Sequence, residues 1–180
     1  MLLIIIIFLF VLSIIIVFTI KNSFYSVNED DVVLDTDSNT VIIKSMLTVS
    51  DEFGKTIADS NNGYYGYLEF SVSNLSSKSR EYEILIKKSD INPVEIDGNY
   101  VKFYLTDYNN RPFDEFSNNI LPDYESMRFL SDKPGNKLLH SGSLKGLEIE
   151  KFKLRVWIAD SYNIISNDAA FTFVISARAV

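Results

Sequence analysis

Cysteine is absent from this 180-residue chain, and His140 is its only histidine. The first absence removes disulfides, thiolate metal sites, iron–sulfur clusters and cysteine nucleophiles. The second excludes a multi-histidine zinc site and the H-E-x-x-H motif. No G-x-S-x-G occurs either, so Ser141 and Ser143 beside His140 lack a nucleophile elbow, and His140 is expected to be a polar residue at a strand end. Basic residues are outnumbered, 17 Lys and Arg against 24 Asp and Glu, for a net charge of −7. None cluster more densely than Lys87-Lys88, so nucleic acid is not an expected partner.

A further absence marks the N-terminus. Residues 1–20, MLLIIIIFLFVLSIIIVFTI, contain no charge, glycine, alanine or proline. As a helix, residues 2–20 would rise roughly 28 Å, close to the ~30 Å hydrocarbon core of a bilayer. A cleaved signal peptide is a poorer fit. There is no basic residue ahead of the apolar run, the run is too long, and no A-x-A-like site follows in FTIKNSFYSV. The sequence therefore predicts a single-pass anchor at 1–20 contacting the lipid bilayer through residues 2–20, a linker at 21–30 and one domain at 31–180. Lys21 is the only positive side chain near the span, so the positive-inside rule has little to read. A first apolar segment usually starts transfer, which places the domain outside the cytoplasm, at a cell surface or on a virion membrane. The span has no small-xxx-small pattern, so close helix dimerisation is not expected.

Beyond Lys21 the apolar period is two. Leu68, Phe70 and Val72 alternate with polar neighbours, as do Tyr82, Ile84 and Ile86, then Val101, Phe103 and Leu105, then Phe152, Leu154, Val156 and Ile158, and finally Phe171, Phe173 and Ile175. This alternation predicts antiparallel strands with one buried face. Eight to nine strands are expected among stretches near 31–35, 40–49, 55–59, 66–74, 81–88, 100–106, 126–131, 137–144, 147–158 and 170–179. Turn signals fall between them at Asn61-Asn62-Gly63, Asp97-Gly98, Pro134-Gly135 and Lys145-Gly146. Asp97-Gly98 reads as a tight hairpin, and the change of apolar phase after Ile149 reads as a bulge near Glu150. The stretch 109–126 reads as a long loop or a short helical turn around 114–118, and no helix is expected after the anchor. The fold class is all-β, an antiparallel two-sheet β-sandwich of immunoglobulin-like or jelly-roll type.

Candidate chemistry is sparse. Asp35, Asp37 and Asn39 have the D-x-D-x-N spacing that aims successive oxygens at calcium. Thr40 stands where an EF-hand needs glycine and Met46 where it needs a bidentate glutamate, and a solvated turn gives the same pattern. Tyr64, Tyr65 and Tyr67 between and after Gly63 and Gly66 can stack on sugars or meet a partner protein, or simply begin a strand. Trp157 falls on the polar face of its strand, as a contact residue or beneath a neighbouring loop. Asn74-Leu75-Ser76 is a formal glycosylation sequon. Carboxylates are plentiful, but none is singled out as half of a catalytic pair; an enzyme would have to draw on residues such as Asp114 or Glu115.

The segment 151–160, KFKLRVWIAD, followed by Phe171 and Ile175, resembles a pattern in anchored or exported β-sandwich proteins of Gram-positive bacteria, an (F/Y)-x-L-R-x-W-I-x-(D/E) strand before a closing F-x-x-x-I strand. The plan of an apolar N-terminus and one sandwich is similar to the camelysin and biofilm-fibre proteins, and to minor capsid proteins of membrane-containing viruses. The resemblance implies a surface, fibre or coat role. The missing signal-peptidase site departs from the fibre proteins and implies retention in the membrane. The expectation is a non-enzymatic structural or assembly protein with self-association or protein partners, and the alternative is an adhesin or accessory ligand-binding protein.

Overall fold

Wherever the two-residue alternation is sustained, the chain forms a strand. In the computed structural model, which describes residues 31–59, 63–117, 121–128 and 135–180, these strands are β1 (Val32–Asp35), β2 (Thr40–Lys44), β3 (Gly66–Asn74), β4 (Arg80–Ser89), β5 (Val101–Asp107), β6 (Asn136–Leu144), β7 (Ile149–Ile158) and β8 (Ala170–Ala179). The expected anchor at 1–20 and linker at 21–30 lie outside the described residues. Among the described residues, no helix is long and apolar enough to cross a membrane.

Two antiparallel four-stranded sheets result, one ordered β1-β3-β7-β5 and the other β2-β8-β4-β6. Odd-numbered strands make the first sheet and even-numbered strands the second. Every connection between successive strands therefore leads from one sheet to the other. The sheets share one apolar cluster. Phe103 of β5 meets Phe173 and Phe171 of β8, with ring centroids 5.2 and 6.5 Å apart, and Phe152 of β7 meets Tyr82 of β4 at 6.5 Å. Period-two burial on both inner faces is what makes these rings meet.

This arrangement corrects the hairpin expected at Asp97-Gly98, because β4 and β5 lie in different sheets. Asp97 instead caps a 3-10 turn at Gly98–Tyr100, its Oδ1 accepting from the Asn99 N–H at 2.9 Å. Glycine is needed there for close packing, since a Cβ would lie 2.9 Å from Cδ1 of Tyr124. The bulge expected near Glu150 is also corrected. β7 pairs with β3 in unbroken register from Ile149 onward, and the apolar phase changes because Ile149 faces solvent, 61% exposed. The bulge lies elsewhere, where the β4–β6 register slips between Ile84 and Leu85. The slip leaves both Leu139 and His140 buried, so His140 sits mid-strand and not at a strand end.

Three other expectations differ. β2 stops at Lys44, where Ser45 turns inward and its hydroxyl donates to the Ser166 carbonyl. The stretch 55–59 is not a strand; it follows α1 (Asp51–Gly54), a single helical turn capped by Ser50, whose Oγ accepts from the Phe53 N–H at 3.3 Å. Ser50 ahead of Asp51 and Glu52 is a helix-start signal that the strand-centred reading passed over. Residues 126–128 form no strand, and 129–131 lie outside the described residues. Within 109–126, the short helical turn is a 3-10 turn at Asp114–Phe116 that buries Phe116.

Candidate functional site

The turn 35–40 between β1 and β2 separates two hollows. On one side, an open groove of about 720 Å³ runs between β1 and β8, lined by Val32, Leu34, Asp37, Asn39, Ile175 and Arg178 among others. On the other, a cleft of about 310 Å³ is lined by Asp35, Asp37, Glu69, Ser71, Tyr108 and Lys151 among others. The two share Thr36 and Asp37.

The groove exists because β2 is too short. It pairs with β8 only from Ala170 to Val174, half of a ten-residue strand. The Ile175 N–H still donates to the Asn39 carbonyl at 2.9 Å, and beyond it no strand forms a ladder with that edge among the described residues, although β1 lies close along it. On the other flank, the Val180 N–H donates to the Glu81 carbonyl at 3.0 Å. Antiparallel ladders alternate, so Ala177 points its peptide N–H and C=O groups away from β4 and into the groove, while Ala179 beyond it is buried. The facing wall is β1, which pairs with β3 alone.

Arg155, which alternates with core residues along β7, braces the turn that carries Tyr108 into the cleft. It is 6% exposed, and its partners among the described residues are neutral oxygens. Its Nε donates to the Ile57 carbonyl at 2.7 Å, Nη1 to Thr106 Oγ1 at 3.2 Å and Nη2 to Asn110 Oδ1 at 2.7 Å. Burial lowers its pKa from the ordinary guanidinium range, countered by the nearby Tyr67, Tyr104 and Glu69. The guanidinium lies 5.6 Å from the Tyr67 ring centroid, a cation–π spacing. Arg155 thereby holds Asn110, whose φ of 63° is left-handed, in the turn that carries Tyr108. Asp107 closes the same turn, accepting from the N–H groups of Asn109 at 2.9 Å and Arg111 at 2.8 Å. Burial works against its ionisation, but the bonds from Arg111 and Asn109 outweigh it and keep its carboxyl below the ordinary value.

The candidate residues from the sequence do not converge. Asp35 and Asp37 line the cleft, whereas Asn39 faces the groove and its Oδ1 accepts from the Thr40 hydroxyl. Among the described residues no three acidic or histidine side chains are gathered to hold a metal ion. The turn is stabilised by its own hydroxyls, with Thr36 Oγ1 donating to the Ser38 carbonyl and Ser38 Oγ to the Thr40 carbonyl, each at 3.1 Å. The three tyrosines part company. Tyr64 stays in the turn before β3, Tyr65 packs edge-on to Phe53 with centroids 5.9 Å apart, and Tyr67 donates to Glu69 on the outer face of β3. Burial first, then that bond to Glu69, pushes the Tyr67 hydroxyl up to about 12. Trp157 is fully buried beneath α1, its Nε1 donating to Asp51 Oδ1 at 3.3 Å, and is not on an accessible surface.

His140 is one of the walls of the seam between β5 and β6. Its ring centroid is 4.2 Å from that of Phe113, and Nδ1 is 3.5 Å from Glu115 Oε1, longer than a hydrogen bond. Burial pushes its pKa below the ordinary 6.5, against the pull of Glu115 and Glu150. The unfolded chain therefore binds this proton more readily than the folded one, and stability falls as pH drops below about 6.5 until the folded group also titrates. Urea unfolding of the wild type and His140→Gln at pH 7.5 and 5.5 checks this. The stability difference between the two pH values is expected to be smaller in the variant; an equal difference would assign the acid sensitivity to other groups.

Compared with family models, curated proteins and solved structures, the chain gives no match.

Proposed function

We infer that this chain is a non-enzymatic structural subunit, anchored in a membrane through residues 2–20 and presenting a β-sandwich that assembles with further copies at a cell or virion surface. The observation that carries the reading is the uncovered half of β8. A row of unpaired peptide groups is a template for another strand, and natural proteins normally cover or charge such an edge. Here the edge at 176–178 would span about 10 Å of added strand. It carries the small side chains of Ser176 and Ala177 and faces an apolar wall formed by Val32 and Leu34. Small side chains leave room for the incoming backbone, and its alternate side chains would meet the apolar wall. Anchors in one bilayer hold copies in the same plane, which raises their effective concentration for such pairing.

The test is the size of the native particle. The full chain is extracted in mild detergent, sedimented on a gradient and imaged by electron microscopy. Filaments, arrays or other large ordered particles are expected, and a monomer or dimer would sink the reading. Ala177→Pro is expected to shift these particles to small species while preserving the fold, because proline removes an N–H that faces the groove and not β4. Unchanged particles would place the assembly contact elsewhere.

A further inference from the structure

The cleft on the far side of the 35–40 turn is a second, separate surface, and its chemistry is different. Tyr108 is 52% exposed yet its position is fixed. Lys153 Nζ lies 4.6 Å and Lys151 Nζ 5.6 Å from its ring centroid, and the following Asn110 is tied to both Arg155 and Lys153. A half-exposed aromatic ring on a braced turn is a preformed platform, so little ordering remains to oppose binding. Around it stand acceptors and donors of both kinds: the carboxylates of Asp35, Asp37 and Glu69, the hydroxyl of Ser71 and the ammonium of Lys151.

We propose that this cleft is a binding site for a neutral saccharide, with one sugar ring lying against Tyr108 and its hydroxyls bridging Lys151 and the carboxylates. The mixture of charges selects the class. An anion would meet three carboxylates, and a bare cation would meet two ammonium groups with no gathered ligand set. A hydroxyl both donates and accepts, so a polyol satisfies Lys151 and Asp37 or Glu69 together. The hydrogen-bearing face of a pyranose is apolar enough to pack on an aromatic ring. A volume of about 310 Å³ lies at the small end for ligand sites and suits a monosaccharide unit of a longer chain. The site shares only Thr36 and Asp37 with the groove, and Tyr108 and Lys151 lie outside it, so variants at those two residues test it apart from assembly.

The test is calorimetric and NMR titration of the full chain in detergent with cellotetraose, maltotetraose, chitotetraose and mannotetraose. Saturable binding of at least one is expected, weakened about tenfold or more by Tyr108→Ala, the loss of one stacked ring contact with its buried area. Ile165→Ser, in the loop between β7 and β8 at the other end of the sheets, serves as the folded control and is expected to bind as the wild type does. Lys151→Met is expected to weaken binding without removing the platform. Failure of all four probes to saturate, or binding unaffected by Tyr108→Ala in a variant that unfolds normally, would overturn the proposal.

Discussion

Trp157→Ala is expected to cost about 3–5 kcal/mol, the range for removing a fully buried large aromatic side chain. A domain of this size has only about 5–15 kcal/mol in hand, so the variant should be marginal at 37 °C. Trp157 is 0% exposed although it lies on the outer face of β7, because α1 is packed flat against it. The fit leaves no slack: a Cβ on Gly54 would come 2.2 Å from Cε2 of the indole. Gly54→Ala must therefore push α1 off the sheet, and it is expected to be destabilising although alanine is the better helix former. Urea denaturation reads both effects. A loss below about 1 kcal/mol for Trp157→Ala would mean that α1 is not held by the indole.

Arg155→Met is expected to be nearly as damaging, at about 3 kcal/mol, for a different reason. It leaves the Ile57 carbonyl and Thr106 Oγ1 without this donor in buried positions, and Asn110 Oδ1 with Lys153 alone. Each lost partner costs about 1–3 kcal/mol, and the sum is cut by local rearrangement and water entry. Arg155→Lys should recover less than half of the loss, since an ammonium cannot reproduce a planar fork that reaches three separate oxygens. The readout that distinguishes Arg155 from an ordinary core residue is local. Limited proteolysis within 107–111 should accelerate in both variants, because the turn bearing Tyr108 loses its tie to the sheet. Equal cleavage rates in wild type and variants would show that Asp107 and Arg111 hold that turn unaided.

These two residues also mark where the sequence stopped being legible. Alternation gives faces, so Phe103, Phe152, Phe171 and Phe173 were readable as core from their spacing alone. It says nothing about what lies over the other face. Arg155 and Trp157 alternate with core residues and look wet, yet both are covered, by segments 98 and 106 residues away along the chain. Pairing was hidden for a related reason. Asp97-Gly98 signals a tight turn, and a tight turn is there, but whether it joins neighbours in one sheet or passes between two depends on packing contacts with Tyr124. The candidate site shows the same division. The D-x-D-x-N turn was visible as a feature, whereas the hollows on its two sides come from a short β2 and from the turn that Arg155 braces. Neither leaves a local signal.

Strict alternation of strands between sheets has a consequence for how this protein comes into being. No two successive strands pair, so no local hairpin can serve as an early nucleus, and every ladder closes a long loop first. Such high contact order predicts folding on the millisecond-to-second scale. The burden falls unevenly during synthesis. β3 can take up β1 as soon as it emerges, and β4 can take up β6, but β2 has no ladder partner until β8, which lies between β2 and β4 and is made last of the eight. Until then β2 and one edge of β4 stay unpaired, and the chain needs shelter from its neighbours until residue 179 has been delivered.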